Sequence, residues 1–327
     1  MPASRQIHLV RRPHGVPVPE DFAVVEAVLP DVGEGQVQVQ NLLMSVDPYM
    51  RPRLTADQAL NEPMIGGGLG RVVQSRNPRF NEGDLVRHGA GMQERFVSDG
   101  RGMQVLKPDP ALSLSVYLHA LGGTGLTAYG GLLETGALKD GEQVFVSTAG
   151  GAVGSVVAQI AKIKGCYVVG STGADDKAAW LRSEAGLDAV INYKTQPLAK
   201  ALAEATPKGI DVYFENVGGA HLDAALPRMN VRGRIPVCGM ISMYNGGGEG
   251  VSNLFALIYG RIRMEGFVSS DFPHLNAQFA EDMTGWLKSG RVKYQETILD
   301  GFEQAPHGLI GLFSGLNHGK MLIRVAA

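Results

Sequence analysis

The chain has 327 residues, 30 Lys and Arg against 32 Asp and Glu, and a formal net charge of −2. That length suits two domains, and without a polybasic or acidic run the chain lacks the electrostatic footprint of nucleic-acid or membrane-surface binding. The opening MPASRQIHLVRRPHG is basic without a sustained apolar run after it, and no later apolar run is long enough to span a bilayer, so a soluble cytoplasmic protein with a small or weakly charged partner is expected.

The first third is β-rich in pattern. FAVVEAVLP (22–30), GQVQVQNLLMSVD (35–47), GLGRVVQS (68–75) and GDLVRHGAGMQERFV (83–97) are short alternating or β-branched runs between Gly, Pro, Asn and Asp. They predict a compact barrel-like or sandwich domain. From about Gly122 strands and helices alternate. EQVFVSTA (142–149) is a strand, VGSVVAQIAKIKG (153–165) a helix, CYVVGST (166–172) a strand and DKAAWLRSEAG (176–186) a helix. LDAVINY (187–193), GIDVYFENV (209–217) and GRIPVCGM (233–240) are further strands. This βαβ rhythm predicts a doubly wound parallel sheet. In the first helix Val153, Val156, Val157, Ile160 and Ile163 share an apolar face, with Ser155, Gln159 and Lys162 expected on the opposite one. A strand EGFVSS (265–270) and a helix within 274–290 close this domain, and the tail adds a helix and a last apolar strand able to rejoin the first domain. Cys166 and Cys238, the only cysteines, lie in apolar strand-like runs, which suits reduced, buried thiols and not a disulfide framework or a thiolate zinc site.

The stretch STAGGAVGS (147–155) joins the first parallel strand to its helix, with Ala149, Gly151 and Gly154 at the three glycine positions of the dinucleotide fingerprint. Bare backbone there admits a pyrophosphate to the helix N-terminus, where unpaired N–H groups and the dipole favour negative charge. An NAD-selective protein places an acidic residue on the ribose diol roughly 20 residues further on. Here that position falls near Gly173, and Lys177 follows, with Ser171 and Thr172 as hydroxyl donors. A 2′-phosphate suits this better than a diol, which favours NADPH. The alternative is that Lys177 is only a solvated residue of the first helical turn and that Asp175 or Asp176 holds the ribose.

MSVDPYMRPR (44–53), GTGLTAYGGL (123–132), the glycine turn, INYK (191–194), FENVGG (214–219), GRIPVCGMISMYN (233–245), RMEGFV (263–268) and GLNHGKMLI (315–323) occur in one order along nearly the whole chain. In this the chain resembles the zinc-independent medium-chain dehydrogenase/reductases, in the branch of prostaglandin reductases, plant double-bond reductases and bacterial curcumin reductases. The resemblance implies a β-rich, GroES-like catalytic domain over 1–121 and 294–327, a Rossmann domain over 122–293, and the cofactor in the cleft. MSVDPYM stands where zinc-dependent relatives place a ligand cysteine, so no metal is expected. It further implies Lys177, Tyr193 and Asn317 for the 2′-phosphate, Gly151, Val153 and Gly154 for the pyrophosphate, and Asn216, Cys238, Tyr244 and Phe267 along the cofactor. Thr127 matches a nicotinamide-side contact, and a homodimer formed through the edge of the Rossmann sheet is implied.

The expected chemistry is hydride transfer to the β-carbon of an α,β-unsaturated ketone or aldehyde, with negative charge developing on the carbonyl oxygen. Tyr49 and Tyr244 are the candidate donors to that oxygen. Without the resemblance both read first as packed or loop aromatics. Two alternatives stand beside this reading: an NADPH-dependent quinone reductase, and a catalytically silent NADPH-binding or sensing protein. His8, His14, His88 and His119 have no metal-ligand spacing, Asp47 before Pro48 reads as a turn residue, and NGGGEG (245–250) reads as a flexible loop that could cover the site.

Overall fold

The structure, a computed structural model, describes residues 3–248 and 250–325. Two compact units emerge. One holds the residues up to Leu118 together with those from Glu296 onward, and the other is His119–Gln295.

In the first unit β1 (Ala3–Leu9) and β2 (Phe22–Val28) pair as an antiparallel hairpin. The strand β3 (Val37–Val46) leads through Asp47 and Pro48 into α1 (Met50–Ala56), followed by β4 (Gly68–Ser75), β5 (Leu85–His88), β6 (Arg95–Ser98) and β7 (Gln104–Leu106). Antiparallel pairing runs β3 to β4, β4 to β5 and β5 to β7, with β6 on the other side of β3. Alternation drives this, because inward valines such as Val37, Val39, Val72 and Val86 are fully or nearly fully buried around Phe80 and Phe96. His88 is a satisfied core histidine: its ring nitrogen meets Asn41, and burial pushes its pKa down to about 4.

The second unit opens with α2 (Gly123–Gly130), which continues as a π-helical turn, and then β8 (Gln143–Val146), α3 (Gly154–Ile163), β9 (Tyr167–Thr172), α4 (Asp175–Ser183) and β10 (Ala189–Asn192). It proceeds through α5 (Leu198–Ala205), β11 (Ile210–Phe214), α6 (Gly219–Ala225), β12 (Met229–Val237), α7 (Ala256–Gly260), β13 (Arg263–Gly266) and α8 (Asn276–Lys288). All six strands are parallel, in the order β10-β9-β8-β11-β12-β13. The strands are β-branched and aromatic because helices cover the sheet. Phe145 stacks on Tyr213 at 4.8 Å, both fully buried, and burial of the Phe145 side chain contributes about 1.5–3 kcal/mol over exposure.

Three expectations change here. The polar face of α3 is not a solvent face: Ser155 and Gln159 are buried, and the Gln159 amide exchanges hydrogen bonds with the Lys293 backbone at 2.8 Å in each direction. A helix enclosed by sheet and chain on several sides keeps a polar residue only where a backbone partner answers it. The strand expected over 265–270 lies earlier, at β13, and 269–271 forms a 3-10 turn. Cys166 is buried, but Cys238 is only partly so, and both thiols are free.

The tail returns to the first unit as β14 (Glu296–Asp300), α9 (Ala305–Ser314) and β15 (Lys320–Arg324). Pro306 sits in the first turn of α9, where no N–H is needed, and Gly315 ends it in the left-handed region at φ 82°. The strand β15 pairs antiparallel with β3, Met321 opposite Val46, so the final apolar strand does rejoin the first sheet. Met321, Ile323 and Phe302 complete a core with Ile7, Leu9, Met44 and Leu54.

Candidate functional site

The strand β8 is the point from which sheet order runs both ways, β9 and β10 to one side and β11 to β13 to the other. Such a switch point opens a crevice beyond the strand's carboxyl end, and the glycine turn lies there. Thr148 takes a left-handed φ of 51°, and a Cβ on Gly154 would fall 2.3 Å from its carbonyl oxygen, so only glycine lets α3 start this close to the strand. The Ala149 N–H reaches the Ser171 carbonyl at 2.8 Å, tying the turn to β9. Gly151 and Val153 complete the entry into α3, with the Ser155 N–H bonded to the Gly151 carbonyl at 3.0 Å.

On the other side Ser147 is stitched to β11. Its hydroxyl donates to Glu215 at 3.0 Å and accepts the Asn216 N–H at 2.9 Å, while the Asn216 amide donates to the Ser147 carbonyl at 2.7 Å. Glu215 is fully buried, and burial pushes its carboxyl upward against backbone hydrogen bonds from Val217 and Gly218. The Cys238 N–H donates to the Glu215 carbonyl at 2.9 Å, and the Cys238 thiol is pushed up to about 12, by burial first and the Glu215 charge second. Tyr244 follows the 3-10 turn Ile241–Met243, its hydroxyl 3.0 Å from where a Cβ on Gly239 would stand. Burial raises this phenol too, ahead of an opposing backbone hydrogen bond from Met240. Asn216, Cys238 and Tyr244 therefore gather at the carboxyl ends of β11 and β12.

Lys177, in the first turn of α4, folds against the glycine turn: a Cβ on Gly150 would meet its Cβ and Cδ at 3.3 Å and the Thr172 hydroxyl at 3.3 Å. Desolvation lowers the Lys177 ammonium, with Asp176 opposing and Lys194 adding to the shift. Tyr193 directly follows β10, and its hydroxyl would lie 2.8 Å from a Cβ on Gly173. Both candidate carboxylates are occupied locally: Asp175 accepts from the Asn192 amide at 2.6 Å and Asp176 from the Lys177 N–H at 2.7 Å. Thr172 borders the corner, but the Ser171 hydroxyl is fully buried, a correction to its expected role as a ligand donor. Thr127, in α2, donates to the Gly123 carbonyl at 2.8 Å, and Phe267 packs edge-on to Phe214 with ring centres 5.9 Å apart.

Tyr49 and Asn317 belong to the other unit. They follow β3 and precede β15, neighbouring strands, and so share one end of that sheet. Tyr49 caps α1 and is 47% exposed, and its phenol is pushed up to about 12 by desolvation first and the Asp47 charge second. The Asn317 amide donates to the Gly319 carbonyl at 2.6 Å. Beside them is a contact that sequence reasoning missed. Lys320 is 1% exposed, and its ammonium donates to the Val46 carbonyl at 2.8 Å, the Asp47 carboxylate at 2.9 Å and the Met321 carbonyl at 3.1 Å. Ser45 donates to the second Asp47 oxygen. Asp47 thus shapes its turn as a member of a buried ion pair. The only signal was a lysine inside the apolar run KMLI.

Among the described residues no group of three or more His, Cys, Asp or Glu side chains is placed to hold a metal ion, and no helix is long and apolar enough to cross a membrane. A parallel sheet of this order, with a glycine turn at its switch point and a separate antiparallel unit, defines the Rossmann class of two-unit oxidoreductase folds. Residues 5–106 match the N-terminal domain of oxidoreductase family and residues 152–289 the family described as zinc-binding dehydrogenase. The chain is 41% identical to the NADPH-dependent curcumin reductase of Escherichia coli (strain K12), over 99% of this chain and 97% of that one. It is 43% identical to the 2-alkenal reductase (NADP(+)-dependent) of Nicotiana tabacum, over 99% and 98%. The crystal structure of CurA from Vibrio vulnificus in complex with NADPH superposes with a TM-score of 0.94 at 38% identity, covering 99% of each chain. This chain belongs to the zinc-independent medium-chain dehydrogenase/reductases, in the branch of prostaglandin, double-bond and curcumin reductases.

Proposed function

We propose that this protein is an NADPH-dependent reductase of the carbon–carbon double bond of α,β-unsaturated ketones and aldehydes. The observation that carries the reading is the corner formed by Gly150 and Gly173, where an ammonium and a phenol stand in place of a ribose-binding carboxylate. The cradle fits the cofactor, since Gly151 brings bare backbone to the start of α3, Gly154 lets that helix start close to the strand, and Lys177, Thr172 and Tyr193 suit a 2′-phosphate. Asn317 is assigned to the same phosphate, Thr127 to the nicotinamide side, and Asn216, Cys238, Tyr244 and Phe267 to the length of the cofactor. The names of the relatives, curcumin reductase and 2-alkenal reductase, support the substrate class.

Bound NADPH would supply the hydride for the β-carbon, and a proton from water or from the cofactor's ribose hydroxyl would complete the reduction at the α-carbon. Tyr49 and Tyr244 donate hydrogen bonds to the carbonyl oxygen, where charge builds as the double bond is reduced. Both phenols are raised by burial, so they stay protonated at neutral pH as donors and serve poorly as proton sources. In steady-state assays against enones, enals and quinones, enones and enals are reduced with NADPH strongly preferred over NADH. Quinone turnover alone would favour a quinone reductase, NADPH binding without turnover a binding module, and equal use of NADH would end the cofactor assignment.

We also propose a homodimer formed through the free edge of the six-stranded sheet. All four residues of β13 are exposed, and Phe255, Ile258, Tyr259 and Val268 are each at least 60% exposed on the same unit. Open strand edges and large apolar surfaces are covered in stable proteins. Sedimentation is expected to give a dimer for the wild type and a monomer for Ile258→Glu/Val268→Glu. A monomeric wild type at tens of micromolar would end this proposal. The free thiols suit a cytoplasmic location.

A further inference from the structure

We propose that Lys194 is a second cationic ligand for the cofactor's 2′-phosphate and therefore a determinant of NADPH selectivity, a step that rests on the NADPH reading above. Lys194 directly follows Tyr193 at the end of β10, where Asn192 stands in register with Thr172 at the end of β9. Its backbone is held in place: the Tyr193 N–H bonds the Thr172 carbonyl at 3.1 Å, and the Lys194 N–H bonds the Asn192 side-chain oxygen at 3.1 Å. The same Asn192, 7% exposed, donates its amide to Asp175 at the start of α4, so one buried side chain couples the Lys194 turn to the helix that carries Lys177.

The side chains then converge on bare backbone. A Cβ on Gly173 would stand 2.8 Å from the Tyr193 hydroxyl and 3.2 Å from Lys194 Cε, while Lys177 borders Gly150 one strand over. Tyr193 is steadied by His221, whose buried ring meets it edge-on with centres 4.9 Å apart. Burial pushes the His221 pKa down to about 4, so the imidazole is neutral at pH 7 and adds no third charge. Lys177 and Lys194 are close enough for the second to disfavour the charged form of the first. Two ammoniums brought toward each other beside a phenol repel until an anion separates them, and a phosphate dianion converts that repulsion into two charge-assisted hydrogen bonds. A side chain at 173 would press on both the phenol and Lys194 Cε and displace them from each other.

The test compares dissociation constants of NADPH, NADH and adenosine 2′,5′-bisphosphate for the wild type, Lys194→Met, Lys194→Gln and Lys177→Met. Lys194 is exposed, so its replacement leaves the core untouched. For both Lys194 variants the NADPH and bisphosphate constants are expected to rise about tenfold, the value of one charged contact, with NADH unchanged and a shallower dependence on salt. NADPH binding within twofold of the wild type in both would overturn the role of Lys194. If Lys177→Met still lowers the preference for NADPH, only the second ligand is lost. If neither lysine affects that preference, the NADPH reading falls with it.

Discussion

Replacing Tyr49 with phenylalanine is expected to lower kcat for enone reduction about a hundredfold, the effect of removing one donor from a developing oxyanion. The substitution keeps the ring at the head of α1 and deletes only the hydroxyl, so the change reads the hydrogen bond and not packing. A value within threefold of the wild type would remove Tyr49 from the chemistry. The pH dependence has a definite sign. Desolvation and the Asp47 charge hold the phenol up to about 12, so it remains a donor across pH 6–10 and imposes no alkaline loss there. Without the Asp47 anion the pKa moves down toward its ordinary value near ~10, and the alkaline loss of rate begins at lower pH. The variant for this measurement is Asp47→Asn/Lys320→Met, which removes both members of the ion pair and strands neither charge.

Lys320→Met by itself is expected to destabilise the first unit by about 3–5 kcal/mol, because it leaves a largely buried carboxylate without its cation. The pair is tight on both sides, with the Lys320 side chain 1% and the Asp47 side chain 15% exposed. All three ammonium protons are used, two of them on backbone carbonyls, so the lysine also ties the start of β15 to the end of β3. For a unit of this size the loss corresponds to a fall in Tm on the order of 10 °C. The double variant is expected to recover most of it, since an amide beside a thioether strands no charge. Calorimetry on the wild type, both single variants and the double variant measures the coupling. A Lys320→Met protein that melts within about 2 °C of the wild type would show that water reaches the site and that the pair has little weight.

The sequence determined the features that depend on neighbours along the chain. Alternation of β-branched residues announced β3 and β4, helical spacing of valines and isoleucines announced α3, and the glycine run marked the turn between β8 and α3. The candidate Lys177 was visible because the fingerprint marks where a ribose ligand is expected. Other elements left weaker traces: β14 (Glu296–Asp300) lies in the stretch read only as tail, and α5 (Leu198–Ala205) in one to which no element was assigned.

Only the tertiary structure decided which residues separated by long stretches of chain satisfy one another. Asp47 looked like a turn residue and Lys320 like one lysine among many until antiparallel pairing of β3 with β15 made them neighbours. Gln159 sits on the polar side of its helix in any periodicity plot, yet it is buried because the backbone at Lys293 answers it. Lys194 lies beside Gly173 because the parallel register sets the end of β10 beside the end of β9. Hydrophobic periodicity reports burial one element at a time. The partner of a buried polar group is chosen by strand order and register, which arise from the packing of the whole unit.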